Sequence, residues 1–239
     1  MAEPESVSRP HSSHGRCEVS SANRASIEYH LAEFDIAHAG GDGRHLLPAI
    51  PGDCRRVLDV GCGIGQTLAA LDLPRTVEAH GVDIDGEAIA FGSARFPNLK
   101  LKTSAGESLP YDAGYFDFLY CRVSLPYMHI PRALREFRRV LQPNGHLWLS
   151  LHPLSMLRRD LTQALREGSL RGVVYRSYAA FNTLLLFAGR QIPYPLNQKR
   201  VESYQPSAIM RLALQRAGFG DIQTFTETDH AIATATCPR

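Results

Sequence analysis

Residues 57–65 read Val57-Leu58-Asp59-Val60-Gly61-Cys62-Gly63-Ile64-Gly65. The apolar run Arg56 to Val60 predicts a short strand that enters a glycine-rich turn, and Thr67 to Leu71 predicts the helix that follows. Glycines at such a turn let backbone approach a ligand closely, and a helix N-terminus presents free N–H groups. Glu78 to Val82 predicts a second strand, ending at Asp83, 22 residues after Gly61. An α/β fold that binds a nucleoside needs an acid at this place to accept the ribose hydroxyls. The glycine spacing is G-x-G-x-G and not the G-x-G-x-x-G of dinucleotide sites, and no phosphate-binding G-x-x-x-x-G-K-[ST] loop is present. The pattern therefore points to a nucleoside without phosphates. Taken alone, the same residues also read as a tight structural turn and a solvated loop acid.

Strands and helices alternate outward from this turn. Gly86 to Arg95 predicts a helix with Asp85 as N-cap. Lys100 to Thr103 and Phe116 to Cys121 predict strands, the latter apolar enough to be buried on both faces. Pro131 to Leu141 predicts a helix with Leu134, Phe137, Val140 and Leu141 inward and Arg135, Arg138 and Arg139 outside that stripe. Pro143-Asn144-Gly145 is read as a turn into a fifth strand, His146 to Leu151. A helix from Ser207 to Ala217, capped by Gly218, and two strands, Asp221 to Thr226 and Ala231 to Thr236, close the chain. Such alternation predicts an α/β fold with a mostly parallel sheet. Residues 154–205 break it as an insertion after the fifth strand, helical near Leu157 to Leu165 and then rich in aromatics.

The chain has 239 residues, 44% hydrophobic and 21% charged, which is enough for one sizeable core and excludes wholesale disorder. Residues 1–24 are polar and are expected to form a flexible arm before a single domain over 25–239. Ile27, Leu31, Phe34 and His38 recur at helical spacing, and Leu46, Leu47 and Ile50 suggest a second short helix. The net charge of +2 gives no global case for nucleic acid. The five cysteines include no Cys-x-x-Cys, which suits a reducing compartment and neither disulfides nor zinc. No secretory leader and no apolar run of bilayer-spanning length is visible, so the expected setting is cytoplasmic, with no metal and no membrane partner.

Four stretches in order carry a family resemblance: VLDVGCGIG at 57–65, VDID at 82–85, ESLPYDAGYFDFLY at 107–120 and LREFRRVLQPNGHLWLS at 134–150. They resemble the motifs of class I S-adenosylmethionine-dependent methyltransferases, over about Arg55 to Leu151. The resemblance implies a Rossmann-like, mostly parallel seven-stranded sheet flanked by helices and S-adenosyl-L-methionine as cofactor. It implies that Gly61 and Gly63 contact the methionine and ribose portions, that Asp59 orders the loop and reaches the methionine amino group through water, and that Asp83 holds the ribose hydroxyls. Ile84 would pack on the adenine, Ala105, Gly106 and Glu107 would lie along its edge, and Cys121 and Arg122 would face the methionine end. One departure stands out. Many members have an acid four residues before the Leu of the LP motif, where this chain has Ala105, so that hydrogen bond is absent or is supplied by Ser104 or Glu107.

A sulfonium-borne methyl group is already activated, so the protein chiefly supplies alignment and water exclusion, plus a base where the acceptor must lose a proton. His129 and His152 are the candidate bases, both at carboxyl ends of strands; each also reads as a loop histidine bonding backbone. Tyr127 and Tyr204 are candidates for lining the acceptor pocket, and the insertion 154–205, with Tyr175, Tyr178, Phe181, Phe187 and Tyr194, for a lid over it. The expected function is methyl transfer to a small-molecule acceptor. Nine Arg between Arg132 and Arg176 motivate the alternative of an RNA or other polyanion acceptor. A third reading is a cofactor-binding protein without catalysis.

Overall fold

The computed structural model describes Leu31, Ala32, Phe34 and residues 46–239 other than Lys199, Thr228 and Asp229. The expected arm over 1–24 and most of the expected helix from Ile27 to His38 lie outside the described residues. The strands are β1 (Arg56–Val60), β2 (Glu78–Asp83), β3 (Lys100–Thr103), β4 (Phe116–Cys121), β5 (Leu141–Leu151), β6 (Gly220–Glu227) and β7 (His230–Thr236). They form one sheet in the order β3-β2-β1-β4-β5-β7-β6. The first five pair in parallel, while β7 runs antiparallel to both β5 and β6. The order reverses direction between β1 and β4, and open α/β sheets bind ligands beyond the carboxyl ends of strands at such a switch point.

The helices are α1 (Gln66–Ala70), α2 (Gly86–Arg95), α3 (Ile130–Val140), α4 (Leu154–Arg166), α5 (Leu170–Phe187) and α6 (Ser207–Arg216). Asp85 caps α2 as expected, its carboxylate accepting from the amides of Glu87 and Ala88. Helix α3 buries Ile130, Ala133, Leu134, Phe137 and Val140 against the sheet. Its outer arginines are structural staples: Arg138 donates to the carbonyls of Gly218 and Pro238, and Arg139 to those of Tyr111 and Leu109 while pairing with Glu136 at 2.7 Å. At the amino edge of the sheet, Asp117 accepts from the amides of Arg55 and Arg56 and from Gln142, locking β1, β4 and β5 together.

Three expectations are corrected. Residues 46–50 are not helical. Pro48 lies inside them and biases Leu47 toward extended backbone. Strand β5 begins at Leu141 and not at His146, because Leu141 already pairs with Phe116. Pro143-Asn144-Gly145 is thus an irregularity inside the strand, where the register shifts between Phe116 and Phe118 and Asn144 takes a φ of 63°. Third, the aromatic part of the insertion is an 18-residue helix, α5, whose Ser169 hydroxyl accepts from the amide of Gly172. Its outer face carries Leu170, Val174, Phe181, Leu184 and Phe187 while its buried face includes the polar Asn182 and Thr183, so no amphipathic period marks it in the sequence. Tyr178 turns inward toward Tyr175 and Tyr194, whereas Phe181 and Phe187 face solvent, away from the roofing role expected of them.

One close approach couples the helix layer to the glycine turn. A Cβ on Gly92 of α2 would stand 2.2 Å from the carbonyl oxygen of Ile64, which is backbone and cannot swing away. A Cβ on Gly52 would meet nothing within 4 Å. Gly92→Ala is expected to destabilise the protein by about 1–3 kcal/mol. Gly52→Ala is expected to change stability by less than about 0.5 kcal/mol. Urea unfolding of the two variants beside the parent checks this; equal midpoints would contradict the packing assigned to Gly92.

Candidate cofactor and acceptor site

The turn after β1 is shaped by its backbone. Gly61, Gly63 and Gly65 all take left-handed φ values, 79°, 56° and 83°. The amides of Gly61 and Cys62 both donate to the carbonyl of Val82, at 2.8 and 3.0 Å. A Cβ on Gly61 would lie 2.2 Å from the side chain of Ser124, so glycine is required there for space as well as for φ. Ser124 Oγ donates to the Gly61 carbonyl at 3.1 Å, joining the turn to the loop after β4. Gly106 is similarly crowded, with Met128 Sδ 2.6 Å from where its Cβ would stand.

Asp83 closes the turn. Its Oδ2 accepts from the Gly63 amide at 2.8 Å and its Oδ1 from the Asp85 amide at 2.9 Å. Each oxygen keeps a lone pair for a further donor. The next residue, Ile84, is 78% exposed, a large apolar side chain left uncovered beside a carboxylate. Ala105 and Glu107 sit in the loop after β3. Ser104 Oγ donates to the Ser108 carbonyl at 2.6 Å, and Glu107 Oε1 accepts from the His129 amide at 2.6 Å. Both candidates for the missing acid at position 105 are therefore engaged in holding this loop.

Asp59 is a strongly perturbed group of the site. It sits one residue before the carboxyl end of β1, with Gly81 and Tyr120 beside it in register, and is almost fully buried. Its Oδ1 is buried without a hydrogen-bond partner. Burial pushes the carboxyl up to about 8; Tyr120 and the Arg122 guanidinium act against this, and Asp83 adds to it. An orphaned carboxylate oxygen beside a glycine turn fits a cationic amino group, Asp83 fits a pair of hydroxyls, and exposed Ile84 fits a flat apolar ring. The residues present thus fit S-adenosylmethionine. Cys121 does not contribute its side chain: it is fully buried in the main core, with its thiol pushed up by that burial, so only its backbone reaches the strand end.

The acceptor candidates separate. Tyr127 is exposed, and its ring meets that of His152 edge-on at 6.3 Å. Burial pushes the His152 imidazole down to about 4, with Asp160 opposing and Arg159 and Arg176 assisting, so it is neutral at pH 7. His129 is the N-cap residue of α3, and burial followed by Arg132 lowers its imidazole too. Tyr204, expected in the pocket lining, is buried: its amide donates to Thr183 Oγ1 at 2.8 Å and its hydroxyl to Asp160 at 3.2 Å. It braces α4 and α5 and presents no open face. Sequence reasoning passed over Ser124, Met128 and Gln205. Ser203 donates from its amide to the Pro126 carbonyl, and Gln205 exchanges hydrogen bonds with the His152 backbone in both directions, at 2.7 and 2.9 Å. Only the crowding at Gly61 and Gly106, invisible without coordinates, singles out the first two.

A cavity of about 610 Å³ at the amino ends of β2 and β3, lined by residues including Leu68, Arg75, Arg95 and Phe96, lies at the edge opposite to these groups. It contains none of them, and the switch-point argument favours the carboxyl edge.

The Asp59 carboxyl binds its proton more tightly folded than unfolded, where about 3.9 is normal. Stability of the ligand-free protein should therefore fall as pH rises from about 4 to about 8 and then level off. Asp59→Asn should flatten this fall and raise stability at pH 8 by about 1–3 kcal/mol. Urea melts across that range check it; parallel pH profiles for parent and variant would contradict the perturbation.

Residues 58–149 match the family model described as methyltransferase domain. The uncharacterized methyltransferase YcgJ of Bacillus subtilis is 33% identical over 109 residues, 42% of this chain and 43% of that protein. The phthiotriol/phenolphthiotriol dimycocerosates methyltransferase of Mycobacterium leprae is 34% identical over 97 residues, 39% of this chain and 36% of that protein. The match thus spans less than half the length of these two relatives. The demethylmenaquinone methyltransferase of Chlorobaculum tepidum is 21% identical over 72% of this chain and 69% of that protein. Among solved structures, the putative methyltransferase in complex with the Trm112 activator of Haloferax volcanii shares the fold at a TM-score of 0.61, with 15% identity over 93% of this chain and 98% of that one. The matched motifs, the seven-stranded sheet and the Gly61–Asp83 turn agree: residues 58–149 are similar to the methyltransferase domain, and the chain has the fold of S-adenosylmethionine-dependent methyltransferases.

Proposed function

We propose that this protein transfers a methyl group from S-adenosylmethionine to a small-molecule acceptor held between the loop after β4 and the α4–α5 hairpin. The observation that carries the reading is the return segment 203–205. It bonds both to Pro126, after β4, and to His152, after β5. The hairpin is thereby fastened over the carboxyl ends of these two strands, next to the turn that Ser124 joins to Gly61. Relatives named for demethylmenaquinone and for phthiotriol dimycocerosates support a small-molecule acceptor for this chain.

When bound, the cofactor supplies a methyl group on a sulfonium, transferred by in-line displacement. The chain's own residues bind, orient and exclude water. Asp83 accepts from the ribose hydroxyls, Ile84 covers one face of the adenine, and Asp59 offers its spare oxygen to the amino group. Tyr127 and neutral His152 face the acceptor, and His152 takes a proton from an acceptor that must lose one. The polyanion alternative is weakened by the engagement of three of its nine arginines. Arg138 and Arg139 staple the fold, while Arg176 pairs with Glu202 at 3.0 Å and Asp160 at 3.6 Å. The cofactor-binding reading without catalysis leaves the His152–Tyr127 pair without a use.

Two measurements test this. Asp83→Ala should weaken S-adenosylmethionine binding by about tenfold to a hundredfold for each charged hydrogen bond lost. Unchanged affinity by calorimetry would remove Asp83 from the site. In a screen with isotopically labelled cofactor, label should pass to small acceptors and not to bulk RNA, and His152→Ala should cut turnover at least about tenfold while cofactor affinity stays within about twofold. Label in RNA alone would overturn the acceptor class.

A further inference from the structure

Helix α5 carries a solvent-facing apolar stripe along its whole length. Leu170, Val174, Phe181, Leu184 and Phe187 are 77, 48, 52, 69 and 60% exposed. Between Arg176 and Arg190 the chain has no charged residue, so the outward face over those turns offers only Ser177, Phe181, Leu184, Phe187 and Ala188. Its inner face is already committed: Asn182 bonds to the backbone of Ile192 and Glu202, Thr183 to Tyr204, and Leu186 lies in the main core. The stripe therefore faces away from the proposed site. On α4, near the hairpin tip, Leu165 is also 63% exposed.

Charge around the stripe is one-sided. Residues 154–200 hold eight Lys and Arg against only Asp160 and Glu167, a net +6 at pH 7. The whole chain is +2, so the remaining 192 residues carry −4. Arg158, Arg159, Arg166, Arg171 and Arg190 are exposed on the hairpin or at its end. Isolated exposed apolar side chains need no explanation, but a contiguous stripe rimmed by like-signed charge does.

We propose that the α4–α5 hairpin is a docking surface for an acidic phospholipid bilayer, lying in the interface with the stripe among the acyl chains and the arginines at the headgroups. An apolar helix face bordered by arginine is the pattern that binds anionic membrane surfaces. Two copies of the chain pairing through this face would bring two sets of six net positive charges together, which opposes that occupant. A nucleic acid would gain phosphate contacts only at the rim and would leave the stripe uncovered. No described helix is long and apolar enough to cross a bilayer, and that concerns crossing alone. The surface stands independently of which acceptor is methylated.

The test is co-sedimentation of the full chain with vesicles of phosphatidylcholine and phosphatidylglycerol in about 3:1 ratio, beside vesicles of phosphatidylcholine alone. Binding to the acidic vesicles should be at least about tenfold tighter and should weaken as NaCl rises from about 0.1 to about 1 M. Phe181→Asp with Leu184→Asp should lose at least about tenfold of that binding while S-adenosylmethionine affinity, which reports folding, stays within about twofold. Three results overturn the proposal: parent protein left in the supernatant with acidic vesicles, a double variant that binds as the parent does, or a parent dimer that ignores vesicles and becomes monomeric in the double variant. The last would make the stripe a contact between copies.

Discussion

The carboxylate of Asp83 holds the site together. One oxygen takes the amide of Gly63 and the other the amide of Asp85, so the end of β2, the glycine turn and the start of α2 share one acceptor. The Val82 carbonyl adds two further bonds to the same turn. The left-handed backbone of Gly61, Gly63 and Gly65 has no regular ladder to rest on, and these bonds replace it. From that anchor the rest follows by contact. Gly92 lets α2 close onto Ile64, Ser124 ties the turn to the loop after β4, and Glu107 links the loop after β3 to the N-cap of α3.

The same region carries a cost. Asp59 buries a carboxylate oxygen without a partner, and burial lifts its proton affinity far above that of a solvated acid. A buried unsatisfied acceptor costs about 1–3 kcal/mol, more if charged. Proteins keep such groups where a ligand completes them, at the expense of the ligand-free state. The cationic amino group of S-adenosylmethionine is the complement proposed for it, and Arg122, just past β4, already tempers the charge. Stability and binding thus pull Asp59 in opposite directions.

Much of this was readable without coordinates. The run 57–65, its distance to Asp83 and the Asp85 cap place the turn, and the strand–helix alternation gives the parallel sheet, because both depend on local chemistry and on period. What was not readable depends on contacts between distant segments. Tyr204 looks like a pocket aromatic until Thr183 and Asp160 are seen to bind it. Cys121 ends β4, a strand that could finish with either face outward; there it pairs with Leu149 of β5 and is fully buried. Helix α5 hides because apolar residues lie on its exposed face as well as its buried one, and the buried face includes Asn182 and Thr183. The short helix expected at 46–50 failed for a local reason, Pro48, that the sequence already displayed.

The account rests on where the cofactor lies. The most direct measurement is a crystal structure of the full chain with S-adenosylhomocysteine, which carries the same ribose, adenine and amino group. The account predicts the ribose hydroxyls on the free lone pairs of Asp83, the adenine against Ile84, and the amino group on the side of the turn where Asp59 Oδ1 is orphaned. A ligand bound instead in the cavity lined by Leu68, Arg95 and Phe96, with the Gly61–Gly65 turn unengaged, would contradict it.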